Sequence, residues 1–176
     1  MIKIKNKLGK TRIFFREFEK NKFKKEKFKT YKFLKKNKSS KFGGLRFKNF
    51  FKKGLKDKPL ISIIMPNFKC KDLEIAIKSV LKQNYENLEL IVIDGNSGLE
   101  TIKILKFYER DIDIWTSEKD KGMWDAWNKG FMLANGDYVG IVDSSNILYS
   151  NSMNILAKYI KHFSEYDFIC GTVKKD

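Results

Sequence analysis

Ser117-Glu118-Lys119-Asp120-Lys121-Gly122 runs directly into Met123-Trp124-Asp125-Ala126-Trp127-Asn128-Lys129-Gly130, fourteen residues with six ionisable side chains. A charged loop that opens a helix offers backbone N–H groups and the Lys121 ammonium to a diphosphate, while Asp120 and Asp125 can accept from sugar hydroxyls. The same block also reads as a capped amphipathic surface helix with Trp127 in the core. Three further stretches carry polar side chains beside turn residues: Pro66-Asn67-Phe68-Lys69, Asp94-Gly95-Asn96-Ser97 and Val142-Asp143-Ser144-Ser145-Asn146. Alone, Asp94-Gly95 is a strong turn pair and implies no ligand.

The elements that must position these stretches follow from hydrophobic periodicity. Residues 60–65 form a short β-branched apolar run ending at Pro66, the pattern of a buried strand, and residues 88–93 form another, closed by Asp94-Gly95. Leu73, Ala76, Ile77, Val80 and Leu81 fall on one stripe of a helix of about three turns. Thr101, Ile104, Leu105 and Tyr108 predict a second helix, followed by a weaker strand over 112–116. Met123, Ala126, Trp127, Gly130, Leu133 and Ala134 predict a third helix, closed by Asn135-Gly136. A strand over 138–142, a helix over 151–163 and a last strand over 167–173 complete the order. Strands alternating with helices imply βαβ units and a mostly parallel sheet covered on both faces. In such sheets ligands bind outside the carboxyl ends of the strands, where all four polar stretches fall.

The net charge of +16 over 176 residues is unevenly placed. Residues 1–58 carry 23 Lys+Arg against 4 Asp+Glu, or +19, and residues 59–176 carry −3. The basicity therefore belongs to a Lys/Phe-rich N-terminal arm, residues 1–58, ahead of a domain over residues 59–176. Phe14 and Phe18, and Phe47 with Phe50 and Phe51, recur at helical intervals, so the arm is expected to be partly helical, with breaks at Ser39-Ser40 and Gly43-Gly44. Lys on one face and Phe on the other is a composition that lies on an anionic membrane surface; a solvated tail of biased composition is the plainer alternative. Nucleic-acid binding is the least favoured, since Arg12 and Arg16 are the only arginines among the first 45 residues and no nucleic-acid motif is present.

No apolar run reaches the roughly 18–20 residues that span a bilayer, and residues 1–10 lack the apolar region of a signal peptide. Cys70 and Cys170 stand in no metal-ligand spacing, and His162 alone makes no cluster; a cytoplasmic setting is the expectation.

The four stretches together resemble family 2 glycosyltransferases of the GT-A fold, over about 115 of the 176 residues. The central block is similar to the family signature Ser-Glu-Pro-Asp-Lys-Gly-x-Tyr-Asp-Ala-x-Asn-Lys-Gly, with Lys119 in place of Pro and Trp124 in place of Tyr. Pro66-Asn67-Phe68-Lys69 stands where the family has Pro-x-Tyr-Asn, and Asp94-Gly95-Asn96-Ser97 where it has Asp-Gly-Gly-Ser or Asp-Asp-Gly-Ser. The resemblance implies a Rossmann-like α/β sheet flanked by helices and a nucleotide-sugar site formed by Pro66, Phe68, Asp94, Ser97, Asp120, Lys121, Asp125 and Asn128. Phe68 would pack on the base, and Asp94 would accept from the base or ribose.

It also implies Mg²⁺ or Mn²⁺ at the departing diphosphate. Here Ser145 replaces the metal-binding Asp, leaving Asp143 and Asn146 as the candidate ligands. Transfer would run from a nucleotide-diphosphate sugar to a cell-surface glycan or lipid-linked acceptor, with the arm offering peripheral attachment to the inner face of the cell membrane. The sequence names no general base for the attack of an acceptor hydroxyl. Ser145, and an end at Asp176 ahead of the family's acceptor-binding portion, also fit a truncated or degenerate relative that binds nucleotide without transferring sugar.

Overall fold

A computed structural model describes residues 40–163 and 168–169. They belong to one unit, Asn37–Asp176. The expected helices around Phe14 and Phe18 and most of the last expected strand lie outside the described residues.

Among the described residues five strands form one sheet: β1 (Lys41–Gly43), β2 (Ile61–Asn67), β3 (Leu88–Asp94), β4 (Ile114–Ser117) and β5 (Tyr138–Ile141), in the order β1-β4-β3-β2-β5. β2 to β5 run parallel, and only β1 is antiparallel, on β4. Four helices connect or follow them: α1 (Leu73–Leu81), α2 (Leu99–Phe107), α3 (Met123–Leu133) and α4 (Ser152–His162). The expected mostly parallel, helix-covered sheet is thus observed.

Alternation along the strands divides the molecule into two packing faces. Ile61, Ile63 and Met65 of β2 and Leu90 and Val92 of β3 join the core formed with Leu73, Ile77 and Val80 of α1, Leu105 of α2 and Met153 and Ile160 of α4. On the other face α3 packs against β2 and β3. There Gly130 lies so close to Ile64 that a Cβ would stand 2.3 Å from the Ile64 Cγ2 methyl.

The compositional boundary at Pro59 falls inside this unit. β1 is a strand of the sheet, and Leu45 and Arg46 donate backbone N–H bonds to the Ile112 and Asp113 carbonyls, each at 3.0 Å. Gly44, at φ 112°, makes this approach possible, because a Cβ there would meet the Asp113 carbonyl at 2.8 Å. The helix expected from Phe47, Phe50 and Phe51 is replaced by one 3-10 turn, Leu45–Lys48, ended by Asn49 in the left-handed region.

The arm's charges have defined partners here. Arg46 is buried and ion-paired with fully buried Glu89 in the middle of the sheet. Glu89 also accepts from Ser62 Oγ at 2.6 Å and Asn135 N at 3.0 Å. Lys52 pairs with Asp113 at 2.9 Å. Burial raises the Asp113 pKa, with Lys52 acting against that rise. These are domain contacts, so the charge count placed the boundary too late.

Candidate nucleotide-sugar site

The strand order reverses between β2 and β5, making the crevice there the topological switch point of the sheet. The loop after β2 and the loop after β5 meet at it: Ser144 N donates to the Pro66 carbonyl at 3.3 Å, and Cys70 Sγ donates to the Ser144 carbonyl at 3.4 Å. The loops after β3 and β4 continue the same carboxyl edge.

Asp94 is the hub of that edge. It is fully buried, and its Oδ1 accepts from Asn67 Nδ2 at 2.7 Å and from Ser97 Oγ at 2.5 Å. Its Oδ2 accepts from Ser97 N at 3.0 Å and Ser117 Oγ at 2.6 Å. Four donors fill the acceptor capacity of a carboxylate. In this arrangement Asp94 ties the ends of β2, β3 and β4 together, and direct contact with a base or ribose requires one donor to swing away. Ser97 extends the tie by accepting from Lys69 N at 2.7 Å.

Asn67 was not among the expected site residues. Its amide orientation is fixed by donation to Asp94, which leaves its buried Oδ1 without a hydrogen-bond partner among the described residues. An unsatisfied buried acceptor costs about 1–3 kcal/mol, which a ligand donor could offset. The signal in the sequence was an amide at the last position of an apolar strand.

Phe68, Gly95 and Asp120 converge beside this hub. A Cβ on Gly95 would lie 2.8 Å from Asp120 Oδ2 and 3.0 Å from Phe68 Cδ2, so the glycine keeps a gap between an aromatic ring and a carboxylate. The Phe68 ring is 65% exposed and can accept a stacked group; Lys69 Nζ stands 5.2 Å from its centroid. Lys69 and Asn96 hold left-handed backbone, φ 52° and 64°, which turns both loops sharply as they leave their strands.

The charged loop is shaped from within. Asp120 Oδ1 accepts from Gly122 N at 3.0 Å, and Asp125 Oδ2 from Lys121 N at 3.1 Å. Gly122 has φ 107° and ψ −177°, a conformation essentially restricted to glycine. The backbone bond from Lys121 is the largest cause holding the Asp125 pKa below its ordinary value. Lys129, buried on α3, pairs with Glu118 at 2.8 Å and Asp125 at 3.2 Å. Burial acts to lower its pKa, but the bonds to Glu118 and Asp125 outweigh it and the pKa is raised. The Lys121 side chain is exposed, as is Asn128, which faces solvent on α3 rather than joining the residues above. Trp127 is half-buried, edge-on to exposed Trp124 at 4.8 Å between ring centroids.

In the fourth loop Ser144 is buried, Asp143 half-buried, and Ser145 and Asn146 exposed. Among the described residues no three His, Cys, Asp or Glu side chains gather as a metal site. One carboxylate and one amide do not fit a resident Mg²⁺ or Mn²⁺, which takes about six oxygens; any ion there would draw most of them from a bound diphosphate and water.

A mostly parallel sheet whose switch-point edge carries an aromatic platform, a saturated acidic hub and a charged loop opening a helix defines an α/β domain with a candidate ligand site at its carboxyl edge. The family described as "Glycosyl transferase family 2" matches residues 62–176, and the chain belongs to it. Among similar proteins is the Escherichia coli UDP-Glc:alpha-D-GlcNAc-diphosphoundecaprenol beta-1,3-glucosyltransferase WfgD, 37% identical over 101 residues, 56% of this chain and 40% of that protein. Glycosyltransferase GlyG of Streptococcus pneumoniae is 30% identical over 117 residues, 64% of this chain and 38% of that protein. The chain thus spans less than half the length of these relatives. The crystal structure of Staphylococcus aureus TarS shares the fold over 58% of this chain and 20% of its own, with a TM-score of 0.51 and 20% identity. Among the described residues no helix is long and apolar enough to cross a membrane.

Proposed function

We propose that this domain binds the nucleotide-diphosphate sugar of a glycosyl transfer reaction whose acceptor is a surface glycan or a lipid-linked saccharide. The observation that carries the reading is the convergence of Phe68, Gly95 and Asp120 beside the Asp94 hub. The base stacks on the exposed Phe68 ring, next to Asn67 at the end of β2. Asp120 accepts from sugar or ribose hydroxyls, and the diphosphate lies along the loop that opens α3, within reach of Lys121 and the positive end of the helix.

Asp143 and Asn146 are the residues that would face a divalent ion arriving with the diphosphate. Such an ion would offset charge on the leaving group. The named functions of the relatives support a lipid-linked or cell-surface acceptor, and the charge of residues 1–39, 16 Lys+Arg against 3 Asp+Glu or +13, supports attachment to an anionic membrane surface, with the domain at the cytoplasmic face of the cell membrane. A second reading, nucleotide binding without transfer, is favoured by Ser145 in place of the metal-binding Asp.

Calorimetric titration of the full chain with UDP, with and without Mn²⁺, tests the proposal. Binding strengthened at least tenfold by Mn²⁺ supports the transferase reading, and metal-independent binding supports the second. Absence of binding by UDP, GDP and dTDP alike would remove both.

A further inference from the structure

Glu118 and Lys129 sit in the signature block, yet they are buried away from any ligand, with 8% of each side chain exposed. Residues 119–124 form the loop and helix start between two carboxylates, Glu118 before and Asp125 after. Both carboxylates reach the same ammonium: Lys129 Nζ is 2.8 Å from Glu118 Oε1 and 3.2 Å from Asp125 Oδ2. Glu118 is itself anchored twice more. Its N–H donates to the Asp94 carbonyl at 3.0 Å, and its Oε2 accepts from Ser40 Oγ at 2.5 Å. Ser40 directly precedes β1 and lies ahead of the family match at residue 62.

We infer that Lys129 is a positioning residue: with Glu118, Asp125 and Ser40 it clamps the two ends of the charged loop and so sets the diphosphate subsite. The inference rests on the nucleotide-sugar reading for its ligand, while the clamp itself stands on this geometry. The force passes along a defined chain. Lys129 holds Asp125, Asp125 Oδ2 holds the Lys121 N–H, and the next residue, Gly122, is held by Asp120, whose other oxygen faces Gly95. Loss of the ammonium frees Asp125 to solvent and lets the loop lengthen, so Lys121 and Asp120 leave their places while Phe68, Asn67 and the Asp94 hub remain. The clamp therefore controls phosphate recognition and leaves base recognition unchanged. Ser40 makes a residue outside the family match part of the frame of the site.

Removing Lys129 alone takes away the buried ammonium that Glu118 and Asp125 share, and breaking a buried pair from one side can unfold the domain. The double variant Glu118→Gln with Lys129→Met removes both charges at similar volume and serves as the folded test. Its affinities for UDP and for uridine are measured by titration beside wild type and Lys129→Arg. The expected result is at least a tenfold loss for UDP with less than a twofold change for uridine, and recovery of most UDP affinity in Lys129→Arg. Equal losses for both ligands, or an unchanged UDP affinity, would overturn the clamp. If wild type binds no nucleotide, the functional proposal fails by itself, and amide hydrogen exchange decides the clamp: faster exchange at Lys121 in the double variant upholds it, and equal exchange refutes it.

Discussion

Arg46→Met tests whether residues ahead of Pro59 belong to the folded domain. Arg46 is 4% exposed and Glu89 is fully buried, so the substitution leaves a carboxylate in the centre of the sheet without its cation. Arg46 also donates to the Leu133 carbonyl at the end of α3, and that acceptor is orphaned too. Breaking a buried pair from one side costs about 3–5 kcal/mol, a large share of the 5–15 kcal/mol that holds a typical domain together. At about 2–4 °C per kcal/mol for a domain of this size, Tm falls by roughly 6–20 °C. Urea unfolding followed by circular dichroism measures the loss. The double variant Arg46→Met with Glu89→Gln recovers much of it, because the neutral amide still accepts from Ser62 and Asn135. A loss below about 1 kcal/mol for Arg46→Met would refute the reasoning and return residues 40–58 to a solvated arm. Deletion of residues 1–58 is correspondingly expected to destabilise the domain far more than deletion of residues 1–39, since only the first removes β1, Arg46 and Lys52.

Gly95→Ala, at a residue with ordinary backbone, is expected to fold with Tm within a few degrees of wild type and to lose UDP affinity at least tenfold by titration, because its methyl fills the gap between Phe68 and Asp120. Stability should also fall at alkaline pH. The Lys129 pKa is raised in the folded state, so its contribution is fully present below the unfolded lysine value of about 10.4 and is lost as pH rises through the higher folded value. Urea midpoints taken from pH 9 upward should therefore drop more steeply for wild type than for the Glu118→Gln, Lys129→Met variant.

The parallel sheet was legible because β2 and β3 are unbroken apolar runs and α1 is a clean stripe, signals that local periodicity carries without tertiary information. The four loops were legible for the same reason, since each begins where a strand pattern stops. β1 was not: Lys41, Phe42 and Gly43 have no alternation of their own and form a strand only because β4 offers an edge. Arg46 was hidden in a basic segment, although Glu89 inside the run Leu88-Glu89-Leu90 already required a buried cation or donors. At the site, Phe68 and Asp120 come together beside Gly95 at the carboxyl edge of the sheet. The resemblance could not show that Asp94 is saturated by four donors, or that Lys129 works beneath the loop while Asn128 faces solvent, because sequence spacing does not fix which way a polar side chain turns.

The most direct measurement is amide chemical-shift mapping of the full chain by ¹⁵N NMR as UDP is added. The account predicts shifts concentrated at Asn67, Phe68, Gly95, Ser97 and residues 120–122, with the opposite end of the sheet around Lys52, Leu88 and Asp113 unchanged. Shifts centred on that opposite end, or none at millimolar UDP, would contradict a nucleotide-sugar site at the carboxyl edge.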